Sequence, residues 1–264
     1  MLKLIFKIDK DYLIYHTLLR SIDPSCFSSE KYKRDIIAFR NYAWEKDKVL
    51  YDLLMGRIWF GPKDFQERRY LEFFKRLKDI KNYLNLLKKS KYFKKIYNQT
   101  KNYLNFCKTK WQKNYLKTTE IMTELTGIDF KKENKKFFVY ITHPSLRSGR
   151  SWPDSVITWG HNEDWPNYAV VYLWHEILHS YFERSDLDHA LIELLTDNEL
   201  RIRLNKGKYP PFEGFKFLEK LKFKILPYWK KYLKLKNKNI FEFKQFLLKT
   251  IHLEQPIFLQ EKSQ

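Results

Sequence analysis

The segment from Tyr168 to Phe182, Tyr-Ala-Val-Val-Tyr-Leu-Trp-His-Glu-Ile-Leu-His-Ser-Tyr-Phe, restricts the fold of this chain more than any other. Ala169, Val170, Val171, Leu173, Ile177, Leu178 and Phe182 leave it no polar face at helical spacing, and a helix that is apolar nearly all round is a buried one. Yet His175, Glu176 and His179 stand inside it. Burying them costs several kcal/mol unless something compensates, and a divalent cation does so directly. Residues four apart lie on one helical face, so both imidazoles can reach one ion at ~2.0–2.1 Å, while Glu176, rotated by about 100°, addresses water beside it. The competing interpretation is two hydrogen-bonded core histidines with a surface glutamate.

A catalytic zinc site takes three protein ligands and leaves one position open. The third must come from elsewhere in the chain. The motif helix is expected to start around Asp164–Pro166, with Asp164 as cap and proline in the first turn, and to run to about Arg184. Glu183 shares that helix but lies ~12 Å from His175 along the axis, too far for convergence. Ser185-Asp-Leu-Asp188 has capping-box spacing and opens a second helix reaching Asn205 before Gly207. Reversed against the first, this helix brings its second or third turn alongside the histidines, which favours Glu193; His189, Asp186 and Asp188, in or beside the turn, are the alternatives. Asp197 shares a stripe with Glu193, Leu200 and Leu204, while Thr196, Glu199 and Arg203 occupy a more polar side. One carboxylate of the pair can bind the ion while the other accepts the second N–H of a ligand imidazole. Asp197 has a competing role as the i+4 partner of Arg201.

His175-Glu-Ile-Leu-His179 followed by Glu193-Leu-Leu-Thr-Asp197 resembles the H-E-x-x-H plus E-x-x-x-D signature of the gluzincin metallopeptidases, the thermolysin-like branch of the zincin clan. The resemblance covers about Val156 to Asn205. It implies one Zn²⁺ per chain held by His175, His179 and Glu193, with Glu176 as general base, Asp197 orienting a ligand histidine, and a peptide or protein as substrate. Thirteen residues separate His179 from Glu193, fewer than in thermolysin-like enzymes, so the resemblance requires a tight helical hairpin. The metzincin pattern is absent, since neither glycine nor histidine stands at its required positions after His179. Zincins also pair an extended substrate with an edge strand ahead of the motif helix, a place held here by Val156–Trp159. Candidates for steadying an oxyanion are His161, Tyr168, Tyr181, His189, Tyr209 and Arg201, with His161 equally readable as an exposed loop residue.

Around this region the pattern is mainly helical. Leu2–Ile8, Phe137–Thr142 and Val156–Trp159 read as short strands, and His143–Asp154 as a long polar loop. Residues 10–118 carry lysine-separated apolar positions at helical intervals, with a turn at Gly56 and Gly61-Pro62 and a long helical stretch from about Asp64 to Lys117. Tyr209–Phe212 is an extended connector, and Phe215–Leu248 is helical with a break at Pro227. The fold class is therefore mainly α (α+β): a basic helical region over 1–125, and over 126–264 a zincin-like region with a small sheet and the motif helix. His16, His143 and His252 lack spacing partners and are assigned to structure.

Charge bears on partners. Fifty-one basic against 31 acidic residues give +20, enough to attract nucleic acid if clustered. Lysine far outnumbers arginine, and alanine occurs only at 38, 43, 169 and 190, as an AT-rich coding sequence would produce, so a solvated lysine surface is the preferred explanation. No apolar run approaches the ~20 residues of a membrane span. Lys3 and Lys7 interrupt the apolar start, which lacks a cleavage site, so no signal peptide is expected. Cys26 and Cys107 are far apart and read as reduced, buried thiols of a cytoplasmic protein. Dinucleotide, phosphate-loop and serine-elbow motifs are absent. Two functional alternatives to a zinc peptidase follow: a catalytically silent zinc-binding relative acting in protein interaction or regulation, and a basic nucleic-acid-binding protein with a structural metal.

Overall fold

The computed structural model describes residues 2–56, 76–206 and 214–251. They are mainly helical with one four-stranded mixed sheet. In chain order the elements are β1 (Lys3–Lys7), α1 (Lys10–Arg20), α2 (Lys33–Lys46), α3 (Lys48–Gly56), α4 (Leu77–Lys89), α5 (Lys91–Thr126), β2 (Lys136–Ile141), β3 (Ser148–Trp152), β4 (Val156–Gly160), α6 (Tyr168–Leu178), α7 (Asp186–Glu193), a π-helix (Leu194–Leu200), α8 (Arg201–Asn205), α9 (Glu219–Leu233) and α10 (Ile240–Thr250). The turn at Gly61-Pro62, the connector Tyr209–Phe212 and His252 lie outside the described residues. The chain divides into two compact units, one of Lys3–Trp111 and Lys136–Asp164, the other of Gln112–Lys135 and the described residues from Trp165 onward, with Leu2. The compositional boundary at 125/126 falls at the end of α5.

In the first unit, helical periodicity translates directly into packing. Ile80, Tyr83, Leu84 and Leu87 of α4 recur at i, i+3, i+4 and i+7, and all four are buried among residues of α1, α2 and α3. The Tyr83 hydroxyl donates to the Ala43 carbonyl at 2.7 Å. Asp9 caps α1 by accepting from the amides of Asp11 and Tyr12. Ser90 ends α4 and its hydroxyl accepts the Phe93 amide at 3.0 Å, which divides the described part of the long helical stretch into α4 and α5; residues 64–75 of that stretch lie outside the described residues. Both cysteines are free, Cys107 buried and Cys26 half-buried.

The sheet order is β1-β2-β4-β3, with β1 and β4 parallel to β2 and β3 antiparallel to β4. This corrects two expectations. Ser148–Trp152 is a strand, not part of a loop, and β4 is consequently an interior strand that cannot offer an edge to a substrate. The sheet edges are β1 and β3. Ser-Gly-Arg-Ser-Trp shows no apolar alternation because this edge strand buries neither face fully. A hairpin fixes it to β4, with Asp154 and Ser155 both in the left-handed region that tight strand-reversing turns require.

In the second unit, α6 is buried at ten of its eleven positions, Tyr172 being the exception, as an all-round apolar helix must be. Its ends differ from those expected. Asn167, with φ 62°, starts it in place of Asp164, and the Asn167 side chain bridges Asn114 and Asn205 instead of capping. Its C-cap is His179, so the helix stops well short of Arg184. Ser185 caps α7 as its spacing predicts, accepting the Asp188 amide at 3.1 Å and donating to the Asp188 carboxylate at 2.6 Å. Helix α9 runs through Pro227, which sits on the exposed face, and the break comes instead at the lysine- and asparagine-rich residues 234–239, where Asn239 caps α10.

Candidate metal centre

Because α6 ends at Leu178, only a short turn separates His179 from Ser185, and the first turn of α7 rather than its second lies back against the motif histidines. The Tyr181 and Phe182 amides close that turn on the Leu178 carbonyl at 2.8 and 3.2 Å. His189 therefore meets the pair. The three imidazoles form a near-equilateral cluster, with ring centroids 5.1 Å apart for His175–His179, 5.3 Å for His175–His189 and 5.0 Å for His179–His189. One nitrogen from each lies within 4.8 Å of the others, so the trio could hold a metal ion. Glu176, next to His175 on α6, is buried.

Asp197 is brought to the cluster by the π-helix. Its Oδ1 lies 3.4 Å from His175 Nδ1 and accepts the Thr196 hydroxyl at 2.9 Å. That contact directs the other ring nitrogen of His175 away from Asp197, as in many metal sites. A π-segment lets Asp197 turn relative to its α-helical position, and such segments recur at functional sites. The alternative role of Asp197, pairing with Arg201, is not the contact seen; the Arg201 guanidinium lies 4.0 Å over the Trp165 ring.

Glu193 takes a different place from the one its motif position suggests. It is fully buried, but Lys222 Nζ lies 2.6 Å from its Oε2 and the Phe215 amide donates to Oε1 at 2.8 Å. Oε1 is 3.8 Å from His189 Nε2, so the carboxylate borders the cluster with both oxygens engaged. Lys222 escaped the sequence reading, although a signal was there: Leu218, Lys222, Ile225 and Trp229 form one buried helical stripe with a single lysine in it. Gly214, with φ 93°, was missed as well. A Cβ at that position would collide with the Glu193 carboxyl group, so only glycine lets the chain close over it.

The other candidates are dispersed. Tyr181 donates to Glu133 at 3.2 Å and carries Lys135 Nζ 3.7 Å over its ring. Tyr168 packs its ring against Trp165 and Tyr172. His161 belongs to the other unit, stacking on Trp159 with Nδ1 2.8 Å from the Asn162 carbonyl. Asp188 is held by Ser185 and by Lys244 at 2.8 Å, and Glu183 by Lys244 at 3.0 Å. Tyr209 lies outside the described residues.

Electrostatics separate the three histidines. Burial, together with the neighbouring His175 and His189, lowers His179 to about 3, and burial with His175 beside it lowers His189 to about 4. For His175 burial acts in the same direction, but the carboxylates of Asp197, Glu176 and Glu193 overcome it and raise the ring to about 9. Burial raises the Glu193 carboxyl above its ordinary value, against the bonds from Lys222 and Phe215. Two imidazoles are thus neutral, while His175 carries the positive charge that the surrounding carboxylates favour, a proton that a bound cation would have to displace. No protein-family model, curated protein or solved structure matches this chain, so its likeness to the gluzincins rests on the motif residues themselves.

Proposed function

We propose that this protein is a zinc-dependent hydrolase, of peptidase type by its motif, in which His175, His179 and His189 hold one Zn²⁺ and Glu176 is the general base. The observation that carries this is the convergence of three imidazoles from two helices beside a buried glutamate. Three histidines with an open fourth position are a catalytic zinc donor set, and imidazole suits zinc better than magnesium or calcium. When bound, the ion supplies Lewis-acid chemistry, polarising a carbonyl and making water nucleophilic near neutral pH.

The chain does the rest. Glu176 accepts the proton of the attacking water on its carboxylate and delivers it to the amine as the C–N bond breaks. Asp197 takes the Nδ1–H of His175 and so fixes which ring nitrogen faces the centre. Glu193, placed among the ligands by the gluzincin resemblance, serves in this reading as the partner of Lys222.

Metal analysis of the purified protein beside His175→Ala, His189→Ala and Glu193→Gln, followed by digestion of an unbiased peptide library, tests the assignment. One equivalent of zinc is expected in the native chain and in Glu193→Gln, and loss in both histidine variants. Native protein that takes up no zinc ends the proposal. Peptide cleavage that disappears in Glu176→Gln while zinc stays supports the enzyme; zinc uptake with no cleavage of any peptide favours the silent relative.

A further inference from the structure

Glu193 stands at the border of the histidine cluster, yet nothing about its surroundings is arranged for an ion. Its side chain is 0 % exposed and that of Lys222 is 1 % exposed, and Nζ approaches Oε2 to 2.6 Å. Oε1 takes the Phe215 amide, and the missing side chain of Gly214 makes room for the carboxyl group. The same Oε1 is 3.8 Å from His189 Nε2, so the carboxylate borders the place that ring fills and would enter it on turning toward an ion. What prevents this is a second cation: to turn toward an ion, Glu193 must give up a buried ammonium 2.6 Å away, and separating a buried ion pair is strongly unfavourable.

We propose that Lys222 sets the ligand composition of the centre: by binding Glu193 it withholds the carboxylate from the ion and leaves the third position to His189. This rests on the reading that the histidine trio holds zinc. It has a chemical consequence, because an ion held by three neutral imidazoles keeps its full double charge, whereas a carboxylate ligand would cancel half of it. Lys222 is a positioning residue in this scheme, acting through Glu193.

The test compares zinc affinity, by competition with a chelator, and the visible spectrum of the Co²⁺-substituted full-length chain. His189→Ala, which removes a ligand outright, is expected to lose stoichiometric zinc on purification and, in competition, to bind more weakly by more than the ~10–100-fold that losing a ligand's orienting partner costs. His189→Ala/Lys222→Met is expected to regain most of that loss, as the released Glu193 moves into the third position, and its Co²⁺ spectrum should shift from the native one as an oxygen donor replaces a nitrogen. Adding Glu193→Gln to the double variant should abolish the recovery. A folded double variant as weak as His189→Ala overturns the proposal. Glu193→Gln/Lys222→Met with His189 intact removes both charges of the buried pair together and keeps the Phe215 hydrogen bond, so neither charge is stranded: native affinity supports the proposal, and a loss of about tenfold overturns it. A native chain that binds neither Zn²⁺ nor Co²⁺ removes the reading of the centre itself, a result distinct from the failed rescue.

Discussion

The two compact units each bury histidines, and they treat them in opposite ways. In the unit that holds the sheet, His143 receives the Ser145 amide on Nδ1 at 3.2 Å and so donates from Nε2 to Gln99 Oε1 at 3.0 Å. Gln99 then donates to Asp35 at 2.7 Å, and Asp35 pairs with Lys95 at 2.8 Å. Both ring nitrogens of His143 are served by neutral partners, and the negative charge stands one residue away. His16, buried nearby against Tyr12, likewise has no carboxylate on its ring, and burial lowers both histidines to about 3. In the other unit, three imidazoles face one another with Asp197, Glu176 and Glu193 around them, and one ring is raised to about 9. Burial alone therefore does not distinguish a site from a core. Convergence of rings within a field of carboxylates does.

The comparison can be broken most directly by deleting one histidine from each unit. His189→Ala should abolish stoichiometric zinc uptake and all hydrolysis, while His143→Asn should leave zinc uptake intact; metal analysis of both variants measures the contrast, and equal zinc loss in the two would erase it. Within the cluster, Glu176→Gln should lower hydrolysis by about 10²–10⁴-fold with zinc retained, read from initial rates on a cleaved library peptide. Asp197→Asn should weaken zinc by about 10–100-fold, because the amide oxygen that remains lacks the negative charge that holds His175, and chelator competition reports the change.

A smaller effect concerns pH. A histidine whose folded pKa is depressed takes its proton only in the unfolded chain, so His16 and His143 leave stability untouched above pH 6.5 and reduce it as the pH falls from there toward about 3. The limiting slope is about 1.4 kcal/mol per pH unit for each ring. Thermal melts between pH 7 and 5 should show a shallower loss in His143→Asn than in the native chain, and identical slopes would mean that the ring is protonated in the folded state. The smallest expected change is Tyr83→Phe, which removes one buried hydrogen bond to Ala43 and should cost about 1 kcal/mol in denaturant unfolding.

Much of the architecture was readable in advance because local rules decide it. The burial of α6 follows from its lack of a polar face, the start of α7 from the Ser185 hydroxyl, and the packing of α4 from apolar residues at i, i+3, i+4 and i+7. Where the reading missed, the deciding contact was remote in sequence. Ser148–Trp152 pairs as a strand because β4 offers it an edge, a fact its own polar residues do not carry. Pro227 leaves α9 unbroken because it lies on the exposed face.

The candidate site divides in the same manner. Its sequence determined that His175 and Glu176 lie in a buried helix and that His179 follows on the face of His175, since residues four apart in a helical turn lie on one side whatever surrounds them. It also determined that a carboxylate-bearing helix follows closely behind. Which residue of that helix meets the two histidines was settled only by tertiary structure. The early end of α6 at Leu178 sets the depth of the hairpin and selects His189, and Lys222, from a helix far along the chain, engages the carboxylate that the motif spacing would have chosen. Periodicity fixes neighbours within one helix; the relation between helices depends on where each one stops and on which buried charge finds a partner.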